Sequence, residues 1–131
     1  MNFSKITNSI KVSVRPVYLE EQSSPDEHYY VWAYYVRIEN LSEDPVQLIN
    51  RYWRITDAKG RTQEIKGPGV VGEQPVLNPG SIYEYASGTP LNTPSGFMVG
   101  DYEMENEKGE SFQVAIPAFS LDAPFERICL H

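Results

Sequence analysis

Residues 51–104 read RYWRITDAKGRTQEIKGPGVVGEQPVLNPGSIYEYASGTPLNTPSGFMVGDYEM, and their punctuation decides the fold class. Glycine or proline interrupts the run from 67 to 69, at 72, 75, 79 and 80, and again between 88 and 100. In a helix interior each glycine costs about 1 kcal/mol and each proline about 3 kcal/mol relative to alanine, so no ordinary helix is sustained here. Short alternating runs lie between the breaks, as in Ile82, Tyr83 and Tyr85, or Met98, Tyr102 and Met104. Such runs bounded by turn residues are strands.

The pattern extends outward on both sides. Ile10, Val12 and Val14 alternate with Lys11, Ser13 and Arg15, which is a half-buried strand. Residues 28–41, HYYVWAYYVRIENL, are apolar on both parities and read as a central strand. Residues 46–57 form another, with Ile49, Trp53 and Ile55 on one parity, so Trp53 is expected in the core. Residues 61–66 return after the Ala58-Lys59-Gly60 hairpin loop, and Phe112, Val114 and Ile116 end the series. Residues 67–80 and 88–96 read as loops. About seven short strands without a helical period predict an all-β chain. The expected architecture is an antiparallel immunoglobulin-like or fibronectin type III-like β-sandwich. A length of 131 residues suits a single domain over 1–131. Its sandwich core is expected over about 8–125 with loose N- and C-terminal tails; residues 1–9 read as polar and loose, and Pro117 and Pro124 bracket a tail.

The net charge of −7 argues against affinity for nucleic-acid backbones. The single cysteine, Cys129, permits no intrachain disulfide. No run approaches 18 apolar residues, and MNFSKITNSIK has no apolar leader core, so a cytoplasmic protein away from membranes is the expectation.

Gly67-Pro68-Gly69-Val70-Val71-Gly72 spells GxGxxG. In a dinucleotide fold that motif opens a helix whose N-terminus holds a pyrophosphate. Here Pro75 and Pro79 follow and no βαβ unit surrounds it, so the glycines are expected to shape a loop. Backbone N–H groups of such a loop could also cradle an anion. Residues 51–72 hold five cations against two carboxylates, a local +3 in an acidic chain. The candidate phosphate-binding set is therefore Gly67, Gly69, Val70, Val71 and Gly72, flanked by Lys66 and Arg61.

Other chemistry is thin. His28 and His131 are the only histidines, and Cys129-Leu130-His131 lacks the second ligand pair a zinc site requires. Glu103, Glu105 and Glu107 share a parity that could face a hard cation or simply solvent. Ser87 stands outside any GxSxG context. No catalytic constellation, metal site or cofactor is expected.

Particular residues of the same stretch carry a resemblance. Arg51-Tyr52-Trp53, Ile55-Thr56-Asp57, the 67–72 glycine run, Pro79-Gly80, Thr93-Pro94 and Gly96-x-Met98-x-Gly100-x-Tyr102-x-Met104 resemble the ApaG family pattern. So do Tyr18, Ser23-Ser24-Pro25 and Pro45-Val46-Gln47-Leu48 upstream. The resemblance implies a fibronectin type III-like module that acts in protein interaction, in a family linked to cobalt and magnesium tolerance, with no established enzyme activity. The expected function is thus a non-enzymatic binding module with a protein partner. The alternatives are a pyrophosphate or nucleotide sensor using the glycine loop, and a divalent-cation homeostasis protein.

Overall fold

The structure is a computed structural model and describes residues 2–124. Nine strands follow in order: β1 (Phe3–Thr7), β2 (Ile10–Tyr18), β3 (Tyr30–Asn40), β4 (Val46–Asp57), β5 (Thr62–Pro68), β6 (Val76–Leu77), β7 (Ile82–Leu91), β8 (Ser95–Asn106) and β9 (Ser111–Asp122). Two 3-10 turns, Glu20–Gln22 and Pro25–Glu27, lie between β2 and β3. One sheet has the order β1-β2-β3-β7 and the other β5-β4-β8-β9, with β6 added to β4. Every pairing is antiparallel.

The alternating side chains of the two sheets meet in a single core. Tyr30, Trp32, Tyr34, Val36 and Ile38 of β3 face Trp53 and Ile55 of β4 and Met98, Tyr102 and Met104 of β8, all buried. Trp53 is 1% exposed and stands T-shaped to Phe119 at 6.0 Å and tilted to Tyr34 at 5.2 Å. β1 closes one side against β9, where the Phe3 and Phe119 rings lie 5.9 Å apart and the Ala115 N–H donates to Thr7 Oγ1. Asn40, fully buried, pins the turn after β3: its Nδ2 donates to the carbonyls of Asp44 and Leu77, and its Oδ1 accepts from Ser42.

Several boundaries differ from the sequence reading. Residues 3–7 are an edge strand rather than a loose tail, because Lys5 and Ile6 pair across β2 while only Phe3 packs inward. β7 continues through Pro90 to Leu91, so the 88–96 loop shortens to residues 92–94. β9 likewise passes Pro117 and ends at Asp122. β7 and β9 are both sheet edges, where a missing N–H breaks no ladder. Pro117 also sits at the irregularity between Met98 and Gly100, where β9 carries an extra residue. Ile49 does not share the face of Trp53, since a bulge between Leu48 and Asn50 exchanges the faces of β4. The expected tail with Cys129 and His131 lies outside the described residues.

Candidate functional site

The glycine run seals the second open side of the sandwich, between β7 and β5. Gly67 lies opposite Arg51, and a Cβ there would meet the Arg51 guanidinium at 3.1 Å. Arg51 Nη1 donates to the carbonyls of Pro68 and Gly69, both at 3.0 Å. The Gly69 N–H donates to the Ile49 carbonyl that the β4 bulge leaves free, at 2.8 Å, and Gln74 Nε2 donates to the same oxygen. Val70 and Glu73 then exchange both backbone hydrogen bonds, at 2.8 and 2.9 Å. Val71 (φ 48) and Gly72 (φ 81) form the corner between them. Two successive positive φ values make this a type I′ turn. Val70 is fully buried and plugs the edge, whereas Val71 is 65% exposed.

A β-branched residue in the left-handed region pays about 1–2 kcal/mol. Val71→Gly should therefore stabilise the protein by about 1 kcal/mol, read as a rise in the urea midpoint at unchanged slope. An unchanged or lowered midpoint would show that Val71 is not held in this turn.

Behind the loop, Tyr85 and Tyr102 share a hydroxyl–hydroxyl hydrogen bond of 2.5 Å, and Tyr102 is fully buried. Burial pushes the ionisation of Tyr102, Tyr85 and Tyr34 upward, and the Arg51 charge offsets it only in part. Tyr83 OH donates to the Glu73 carboxylate at 3.1 Å, tying the loop to β7. The raised values set the sign of an alkaline transition. Above about pH 10 the unfolded chain releases these protons while the native protein keeps them, so stability falls as pH rises. Each retained proton contributes a slope of about 1.4 kcal/mol per pH unit. Tyr102→Phe should flatten the fall in denaturant midpoint between pH 10 and 11.5, and an identical slope in this variant would refute the assignment.

The candidate phosphate-binding residues are placed unevenly. The Gly69 N–H is taken by the Ile49 carbonyl of β4 and the Val70 N–H by Glu73, whereas those of Val71 and Gly72 have no backbone acceptor among the described residues. The Lys66 ammonium lies 5.5 Å from the Tyr52 ring centroid on the outer face of the five-stranded sheet. Arg61 precedes β5, six residues from Gly67, and at about 3.3 Å per residue that places it about 20 Å from the loop. Its own N–H binds the Asp57 carboxylate.

Glu103 and Glu105 lie on β8, where Glu103 accepts from Asn50 at 2.6 Å, and Glu107 lies in the following turn. Among the described residues no three of His, Cys, Asp or Glu gather as a metal site would need, and no helix is long and apolar enough to cross a membrane. Ser87 lies on β7 opposite Tyr34.

On the outer face of the four-stranded sheet, Tyr35 is legible in the sequence as a spare aromatic of a strand apolar on both parities, whereas the cations around it are not. A groove of about 680 Å³ crosses this face, lined by Ser4, Lys11, Ser13, Arg15, Tyr35 and Arg37, with Glu84 at its β7 end. The Arg15 guanidinium stacks 4.5 Å from the Tyr35 ring centroid. Alternation within β2 and β3 marks each set as outward-facing. Only the register that sets Ser13 against Arg37 and Arg15 against Tyr35 joins them into one surface.

Two antiparallel sheets, with no α-helix among the described residues, closed at one edge by a strand and at the other by a glycine hairpin, define a small β-sandwich module. The profile of the ApaG domain matches residues 20–106. Protein ApaG of Paramagnetospirillum magneticum is 63% identical over 125 residues, which cover 95% of this chain and 96% of that protein. Protein ApaG of Rhodospirillum centenum is 62% identical over the same shares. A crystal structure of a Bordetella pertussis protein described as ApaA superposes with a TM-score of 0.86 at 50% identity, covering 88% of this chain and 94% of that one. The chain belongs to the ApaG family.

Proposed function

We propose that this protein is a non-enzymatic binding module that recruits a protein partner through the outer face of its four-stranded sheet. One observation carries the reading. No element among the described residues covers that face, and it presents Tyr35, 42% exposed, together with Arg15 and Arg37. Tyrosine and arginine are the side chains enriched at interface centres, because they offer large contact area with polar reach. The test is affinity capture from lysate followed by reconstitution with the purified captured protein. A stoichiometric complex measured by calorimetry is the expected result. Failure of every captured protein to bind once purified would overturn the reading.

A second reading is a pyrophosphate or nucleotide sensor at the glycine loop. It is favoured by the N–H groups of Val71 and Gly72 at the corner of the turn, with Lys66 adding attraction over a longer range. Titration with pyrophosphate should then shift the amide resonances of Val71 and Gly72 first, and Lys66→Glu should weaken the effect. If no amide in residues 66–73 moves at millimolar pyrophosphate, the loop serves the fold alone.

A further inference from the structure

We infer that the groove on the four-stranded sheet docks an acidic segment of a protein partner, seated by Lys11, Arg15 and Arg37. The inference rests on the binding-module reading above and names the chemistry of its partner. Three cations and one carboxylate line the groove, so it carries +2 on a chain of net charge −7. Among the described residues none of the three cations forms an ion pair, and the contact of Arg15 is with the Tyr35 ring. Unpaired guanidinium groups offer planar forks that carboxylates fill bidentately.

The spacing fits a peptide better than a small ion. Lys11, Ser13 and Arg15 project from one face of β2 at two-residue intervals, about 6.6 Å each. Lys11 and Arg15 are therefore about 13 Å apart, too far for one phosphate to bridge. Alternate side chains of an extended acidic segment repeat at the same interval. Ser4, Ser13, Arg37 and Glu84 form one register row across four strands, about 14 Å wide, with room for about four extended residues if the segment crosses the sheet. Serine hydroxyls in that row add donors. Glu84 repels carboxylates at the β7 end and so confines the acidic residues to β1–β3. Tyr35 supplies apolar area beside the cations.

A nucleic acid fits less well. The turn after β2 exposes Glu20, Glu21, Asp26 and Glu27, so a long polyanion leaving the groove in that direction meets repulsion.

The test titrates the labelled full chain with an octapeptide of alternating glutamate and serine. Its lysine-for-glutamate counterpart, inorganic phosphate and a single-stranded oligonucleotide serve as comparisons. Amide shifts confined to residues 11–15 and 33–37 are expected, with affinity falling severalfold between 50 and 200 mM salt. Arg15→Glu combined with Arg37→Glu should raise the Kd at least tenfold with an unchanged melting temperature, while Lys108→Glu, exposed in the turn between β8 and β9, should not change it. Absence of binding at millimolar peptide, equal binding of the lysine peptide, or equal shifts from phosphate or oligonucleotide would each overturn the groove assignment. Lysate capture separates the two readings. If wild type and the double variant retain the same partner, the groove and its arginines are excluded, and the binding-module reading survives only with a different contact surface. If wild type retains none and ignores the peptide, both fail.

Discussion

Trp53→Ala should lower unfolding stability by about 3–5 kcal/mol, the usual cost of deleting a buried tryptophan. Trp53 is 1% exposed and lies between the rings of Tyr34 and Phe119, so its removal opens a void bounded by both sheets. The surroundings cannot readily collapse into it. Gly100 lies opposite on β8, and a Cβ there would sit 2.3 Å from the Tyr52 carbonyl and 3.2 Å from the indole. The backbones of β4 and β8 already approach as closely as the ladder allows, so neither strand can move in. Against a typical total of 5–15 kcal/mol the loss is severe, on the order of 10–20 °C in melting temperature. Urea unfolding followed by circular dichroism measures it, and Trp53→Phe should recover part of the loss by restoring an aromatic contact. A change under about 1 kcal/mol would mean that the indole is not in the core.

The burial of Trp53 was legible from alternation, but its neighbours on the strand were not. Period-two reasoning carries Ile49 onto the same face, and the bulge at Leu48/Asn50 breaks that inheritance. No residue there announces a bulge. Its cause is tertiary, because the carbonyl of Ile49 turns out to receive Gly69 and Gln74 from the glycine loop. Prolines misled for a related reason. Pro90 read as part of a loop and Pro117 as the end of the last strand, yet each lies within an edge strand, and edge status becomes visible only once the sheet order is known. β1 was hidden because its burial is one-sided and slight, with Phe3 as its only core contact. Of the candidate phosphate site, the loop was legible and the company of Arg61 was not. Arg61 and Gly67 look close in sequence, but an extended strand between them carries Arg61 to the far end of the sheet. The groove on the opposite sheet was illegible for the converse reason. Its cations come from two strands joined by register, with more than twenty residues of sequence between Arg15 and Arg37.

Gly69→Ala should be the most damaging substitution in the glycine loop, at about 2–5 kcal/mol. Two terms combine. Alanine at φ +61 pays about 1–2 kcal/mol for the left-handed conformation. Its Cβ would also lie 2.0 Å from the Glu73 carbonyl oxygen, a backbone atom held by the Val70–Glu73 pair, so the hairpin must open to admit it. Overpacking of this kind costs about 1–3 kcal/mol. Opening would release the two carbonyls that Arg51 holds and withdraw Val70 from the core. Gly72 separates the conformational term from the steric one. It has a similar φ, +81, but a methyl group there would meet nothing within 4 Å, so Gly72→Ala should cost only about 1–2 kcal/mol. The comparison also governs how phosphate binding is probed. Loss of a pyrophosphate signal in Gly69→Ala would follow from loop opening alone, whereas Gly72→Ala preserves the hairpin and tests the corner amides themselves. Equal unfolding midpoints for the two variants would show that the Glu73 carbonyl does not confine Gly69, and that the glycine run is not the folded plug described here.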